Sequence, residues 1–224
     1  MDDRTFDRIG AASAAAVAAL SLLYALAYLV ITPAAQRESD VEAFYRSYLD
    51  DPTGARLASL CLLLSGLLVG TTVVALARRY AGSAVTWATI LGVVAGLATA
   101  AHGLTNLLGV DELARDYAAG DAATRAAIAV AHSAPSAIDP RGLATFGVAG
   151  LVALMLGLTV RADDRRLGTL GIVLGVDMVL LFLATAVGVS ALVLLTGGLA
   201  SVIVGPAWWL SVARHLRART ATQP

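Results

Sequence analysis

Asp177 is the residue most able to do chemistry in this chain. It is the single charge in an apolar run from Leu167 to Ala213. It falls about nine residues into the helix this run implies, or about 14 Å at 1.5 Å per residue, near the middle of a bilayer. A carboxylate at that depth costs about 2.5–3.5 kcal/mol to insert, so such groups face a bundle interior or a wet cavity. The functional expectation is a proton- or cation-coupled site. The packing alternative is a protonated carboxyl hydrogen-bonded to Ser201, Ser21 or Tyr24, which fall at similar depth. Asp177, Ser201 and Tyr24 form the candidate interior polar site.

A second group lies toward the other end of the spans. His102 and Asn106 share one helix face, one turn apart, and His132 follows in a loop. Imidazoles with Asp111 or Asp139 are ligand types that suit zinc, so His102, Asn106 and His132 are candidate mouth residues. No H-E-x-x-H or similar ligand motif accompanies them, and a satisfied histidine is the competing reading. Haem b between helices needs an intramembrane histidine pair, and only His102 is placed for it. His215 lies among arginines near the C-terminus.

Other chemistries are excluded by what is missing. Every basic residue is arginine, so there is no lysine for a retinal or pyridoxal Schiff base or a P-loop. Cys61 is the only cysteine, which rules out an internal disulfide and a thiolate metal cluster. No G-x-S-x-G elbow or nucleotide-binding loop is present. A formal net charge of zero argues against nucleic acid as a partner. No cofactor is implied, and the expected role is non-enzymatic.

The elements that position these residues follow from hydropathy. The chain of 224 residues is 58% apolar and 14% charged, with mean hydropathy +0.77. Soluble domains carry about 25% charged residues because water covers their surface. Apolar runs of bilayer length recur, and they are too long and too uniform for barrel strands, which leaves helices. The expected fold is an all-α, single-domain bundle of six spans. They cover about 10–31, 57–77, 84–108, 143–160, 168–187 and 190–212, with a break near Gly188 between the last two. The first run is longer than a signal-peptide core and reads as a retained span.

Arginine placement gives an orientation. With the N-terminus inside, Arg4, Arg8, Arg78, Arg79, Arg161, Arg165, Arg166, Arg214, Arg217 and Arg219 lie on the inner side. Arg37, Arg46, Arg56, Arg115, Arg125 and Arg141 are spread over longer outer loops. The positive-inside rule then places both termini in the cytoplasm of a plasma (inner) membrane protein. Trp87, Trp208 and Trp209 are expected at the inner interface, and Tyr45, Tyr48 and Tyr117 at the outer one. Arg214, Arg217, Arg219 and His215 form a small basic tail that anchors topology or touches anionic lipid.

The outer loops carry their own signals. Ser39-Asp40-Val41-Glu42 reads as a capping box. It precedes an amphipathic stretch with Val41, Phe44, Tyr45, Tyr48 and Leu49 on one stripe. Asp51 is placed to cap span two, with Pro52 in its first turn. Short helices are expected after Asp111 and after Asp121.

Asp51-Pro52-Thr53-Gly54 leads into span two, as Asp139-Pro140-Arg141-Gly142 leads into span four. Both spans end near double arginines, which suggests a hairpin unit repeated after about 85 residues, as in many transporter folds. Gly66 and Gly70, Gly92 and Gly96, and Gly171 and Gly175 form G-x-x-x-G pairs. These favour close helix packing within the chain, or a homo- or hetero-oligomer seam if they face outward. Gly197-Gly198 and Pro206 are expected to loosen or kink span six.

The aromatic stretch Val41 to Leu49, the Asp51-Pro52 lead-in, the acidic loop ending at Asp139-Pro140-Arg141-Gly142-Leu143 and the compact turn from Arg161 to Leu167 together resemble a family of uncharacterised bacterial six-span membrane proteins. The resemblance covers nearly the whole chain. It implies the topology and no activity. Three roles are carried forward: a protein that binds or passes a small molecule or lipid with Asp177 inside, a structural or accessory membrane subunit, and a membrane enzyme or metal site near His102.

Overall fold

The computed structural model describes residues 3–30, 40–134 and 136–221, and among these it is helical throughout with no strand. The helices are α1 (Asp3–Val30), α2 (Val41–Asp50), α3 (Thr53–Ala77), α4 (Ser83–Ala119), α5 (Ala122–Ser133), α6 (Ala149–Val160), α7 (Arg165–Val187), α8 (Ser190–Gly198) and α9 (Gly205–Ala221). A 3-10 turn (Pro140–Gly142) and a π segment (Leu143–Val148) lead into α6, and a second π segment (Leu199–Val204) joins α8 to α9. Six of these units are long and apolar enough to cross a membrane. The outside of the bundle is an apolar belt, with Leu26, Leu67, Leu97, Leu158, Leu183 and Leu194 all exposed. Water does not tolerate so continuous a patch; hydrocarbon does. This is a multi-pass membrane protein.

Neighbours in sequence are neighbours in space. Span one packs on span two, two on three, and so on round to span six, which returns to span one through α9 and α1. The six spans therefore close a ring around a central axis.

Two hairpins within the ring are sealed by glycines. A Cβ on Gly66 would stand 2.4 Å from the Gly96 carbonyl oxygen and 2.5 Å from the Ala100 nitrogen. A Cβ on Gly157 would stand 2.7 Å from the Ile172 nitrogen, and one on Gly175 would stand 2.6 Å from the Leu154 nitrogen. Backbone meets backbone at both seams, as small residues at this spacing permit. Gly66, Gly92, Gly96, Gly171 and Gly175 are all buried within the chain.

The termini lie at one end, where arginines cross-link the spans. Arg78 pairs with Asp3, and Arg79 pairs with Asp7 while also donating to the Leu216 carbonyl at 3.2 Å. Arg79 thus ties span one, the turn after span two and span six together. At the opposite end α2 folds over α4 and α5. Asp40 caps α2 by accepting the Ala43 N–H at 3.0 Å; Ser39 of the expected capping box lies outside the described residues. Tyr45 stacks on Tyr117 with ring centroids 5.0 Å apart. Tyr48 donates to Asp111 at 2.6 Å, and Arg56 reaches the other oxygen of that carboxylate at 2.7 Å. Burial, and then the bond to Asp111, raise the Tyr48 phenol above its usual range.

Several expectations need correction. No separate helix begins after Asp111: α4 runs unbroken for 37 residues, about 55 Å at 1.5 Å each, and so projects beyond a hydrocarbon core of about 30 Å. Charges end a hydrophobic run but do not break a helix, and α4 stops only at Gly120. Trp208 is not an interface ring. It is 2% exposed and packs over Gly171, where a Cβ would lie 2.8 Å from its indole nitrogen. Arg165 and Arg166, expected in the turn between spans four and five, form the first turn of span five.

The two Asp-Pro lead-ins share sequence but not backbone. Asp51 accepts the Thr53 N–H at 2.9 Å, Pro52 holds the cap position and α3 starts at once. After Asp139 the chain passes through left-handed Arg141 (φ 55°) and Gly142 (φ 74°) before the π segment. The break near Gly188 is present: α7 ends at Val187 and Gly188 adopts φ 79°, a left-handed helix terminus. Span six is loosened where expected, as the Gly205 N–H reaches back five residues to Ala200.

Candidate functional site

Closing six helices into a ring leaves a cavity of about 160 Å³ at its centre. Every span contributes to its wall, including Ser21 and Tyr24 from α1, Cys61 and Ser65 from α3, Thr99 from α4 and Met178 from α7. Both π segments border it, one through Thr145 and Phe146, the other through Ala200 and Ser201. A π turn widens a helix by one residue and leaves side chains displaced from the regular stripe, a geometry common at functional sites. Trp208 and Trp209 line the cavity toward the end bearing the termini.

Among the described residues the cavity wall is apolar apart from hydroxyls, one thiol and two indoles, and carries no charged or imidazole side chain. What distinguishes these hydroxyls is where their protons go. Most span hydroxyls donate back to the carbonyl four residues earlier, as Ser59, Thr72, Thr89 and Thr159 do. Ser21 does the same to Val17 at 2.9 Å. Thr99 donates to the Ala95 carbonyl at 2.9 Å and pairs with the Thr145 hydroxyl at 2.8 Å. Among the described residues the hydroxyls of Tyr24, Ser65 and Ser201 have no such partner. They are donors held in an apolar-walled space.

Thr145 is set in place by Asp139. This carboxyl is 3% exposed and accepts the backbone N–H groups of Ala144 (2.6 Å) and Thr145 (3.1 Å). It satisfies two orphan donors at the start of span four. Asp139→Ala is expected to lower stability by about 2 kcal/mol and to loosen the π segment. Thermal unfolding in detergent measures the first effect; a melting curve identical to the parent's would count against this role.

The candidate interior trio is only partly assembled. Tyr24 and Ser201 share the cavity, but Asp177 is not on its wall. Leu174 and Leu181 face Gly205 and Gly197 of span six, each 3.9 Å from where a Cβ would be, and Asp177 lies between them at the level of the second π segment. It sits about 60° round the helix from Leu174, which turns it away from the cavity. The carboxyl is 8% exposed, and its Oδ2 has no hydrogen-bond partner among the described residues. The expected bonds to Ser201, Ser21 or Tyr24 are not made. Asp177 is buried in the bundle, as expected, but apart from the hydroxyls expected to meet it.

The mouth residues do not converge either. His102 pairs with Asn106 at 3.1 Å along its own helix. His132 on α5 packs against Phe44 and Tyr45, with ring centroids at 4.8 and 5.4 Å. Asp111 is engaged by Tyr48 and Arg56, and Asp139 by span four. Among the described residues no three His, Cys, Asp or Glu side chains are grouped to hold a metal. Sequence reasoning missed Ser65, Thr99 and Thr145. Short hydroxyl residues on apolar helices signal little until the face they occupy is known.

Comparison with known proteins gives no further guide: no protein-family model, no curated protein and no solved structure matches this chain.

Proposed function

We propose that this chain is a non-enzymatic plasma-membrane protein, with both termini in the cytoplasm, that holds or passes a small uncharged molecule through its central cavity. The orientation rests on the arginines. The end that bears the termini also bears the turns with Arg78, Arg79, Arg161, Arg165 and Arg166, and arginine-dense short loops stay inside.

The ligand class rests on one observation: Tyr24, Ser65 and Ser201 offer unspent hydroxyl donors to a cavity with no charge on its wall. Such a site suits an apolar molecule carrying a hydrogen-bond acceptor, a carbonyl or an ether. A space of about 160 Å³ is close to the engineered cavities that accept benzene, so the ligand, or the part of it inside, has about six to ten non-hydrogen atoms. With no base or carboxylate beside a nucleophile, the wall lacks the parts for acid–base or acyl-transfer chemistry.

Cys61 makes this testable, because it is the only cysteine and it lines the cavity. A panel of small neutral ketones and ethers is expected to slow labelling of Cys61 by a small membrane-permeant thiol reagent at least threefold (about 0.65 kcal/mol of occupancy). Ser201→Leu, which fills part of the space, is expected to abolish that protection. If no compound of this class protects Cys61 in the parent protein, the cavity does not bind such ligands.

A further inference from the structure

The geometry points to a second site, a seat for an anionic phospholipid in the cleft between the start of span five and the end of span six. This cleft, about 570 Å³, is lined by Arg165, Arg166, Thr169, Leu170, Ala207, Leu210, Ser211 and Arg214. It lies at the end of the bundle that bears the termini, and it is independent of the central cavity and of any ligand there.

Three features carry the inference. First, the charges converge and are unspent. Arg165 and Arg166 come from α7 and Arg214 from α9, and among the described residues none of the three has an acidic partner. The adjacent acid, Asp164, is engaged elsewhere: it accepts the Leu167 N–H at 2.9 Å and lies 3.7 Å from His215. Among the described residues no acidic side chain lines the cleft.

Second, the position is electrostatically costly without an anion. Arg165 and Arg166 occupy the first turn of a 23-residue helix, the end where the helix dipole repels cations and attracts phosphate.

Third, polarity is graded along both walls in the same order. From the terminus-bearing end inward, α9 presents Arg214, then Ser211, then Leu210 and Ala207, while α7 presents Arg165 and Arg166, then Thr169, then Leu170. The eight residues from Arg214 to Ala207 span about 10 Å. That is the sequence of a phospholipid at a bilayer surface: phosphate, glycerol, acyl chain. The Thr169 and Ser211 protons are already given to Arg165 and Ala207 carbonyls at 2.8 and 2.7 Å. The hydroxyl oxygens are left as acceptors, which suits a headgroup bearing its own hydroxyls, and the phosphate charge falls on the guanidiniums. Basic clefts between spans are known seats for acidic lipid headgroups.

The test uses the full chain purified in a neutral detergent and titrated with phosphatidylglycerol or phosphatidylcholine of matched acyl chains, with bound lipid counted by native mass spectrometry. At least one phosphatidylglycerol is expected to be retained about tenfold more tightly than phosphatidylcholine. The triple variant Arg165→Gln, Arg166→Gln, Arg214→Gln is expected to lose that preference, whereas Arg161→Gln, at the same end but outside the cleft, keeps it. Because removing arginines can disturb insertion, Ala207→Trp provides a second variant that keeps every charge and fills the acyl end; it too is expected to release the lipid. Equal retention of the two lipids by the parent, or a preference that survives both variants, overturns the site. Full displacement of the lipid by millimolar inorganic phosphate would assign the arginines to a free anion and overturn the lipid reading.

Discussion

Gly66→Ala is expected to cost about 3 kcal/mol or more of stability, while Gly70→Ala, four residues along the same motif, is expected to be neutral or slightly stabilising. The difference is one of space. At Gly66 the new carbon would meet the Gly96 oxygen at 2.4 Å and the Ala100 nitrogen at 2.5 Å. Both are backbone atoms on a neighbouring helix, so no side-chain rotation relieves the clash and spans two and three must move apart. Overpacking typically costs about 1–3 kcal/mol, occasionally more, and a backbone clash without a soft neighbour falls at the upper end. At Gly70 the nearest atom is the Val93 Cα at 3.9 Å, ordinary contact, and replacing helical glycine by alanine gains up to about 1 kcal/mol. Denaturation of the two variants in mixed micelles checks the pair. Equal effects would mean that the seam does not close on Gly66.

Asp177→Leu is expected to stabilise the protein by about 1–3 kcal/mol, the cost of a buried polar group left without a hydrogen bond. Leucine keeps the branched outline of the side chain and removes a buried oxygen that has no partner. No countercharge is sacrificed. The elements packed on α7 around Asp177, namely α6, α8 and the two π segments, contain no ionisable residue. Arg141 and the cationic residues of α9 and of the first turn of α7 stand toward the ends of the spans. Asp177→Asn, which keeps a polar group, is expected to gain less. A Leu variant less stable than the parent would show that the carboxyl has a bonding partner in the membrane.

Much of the architecture was legible because hydrocarbon enforces it. Apolar runs of bilayer length located all six spans, and Gly188 marked the division of the last two. Direction round each helix was not legible. In a soluble helix polarity alternates between core and water, so periodicity reveals the buried face. Here lipid and bundle interior are both apolar, and Leu174, which faces span six, cannot be told from Leu180, which faces out. Residue size holds the better signal, since Ala95, Gly96 and Gly175 are buried while Leu97, Val173 and Val176 are exposed. The end of α4 was missed because hydropathy measures solvent preference, whereas a helix stops only when its backbone bonding stops. The cavity was not legible at all, because it depends on six azimuths at once.

Span six is two half-helices with separate loyalties: α9 rests on span one, and α8 rests on span five. The π segment between them has a wider, weaker bonding pattern, and Pro206 has no N–H to return to the turn before it. Bending stiffness is therefore lowest at Ala200 and Ser201, beside the chamber. A sideways displacement of α8, which gives the chamber no wall residue, need not drag α9 with it, and the arginine clamp at the termini stays fastened.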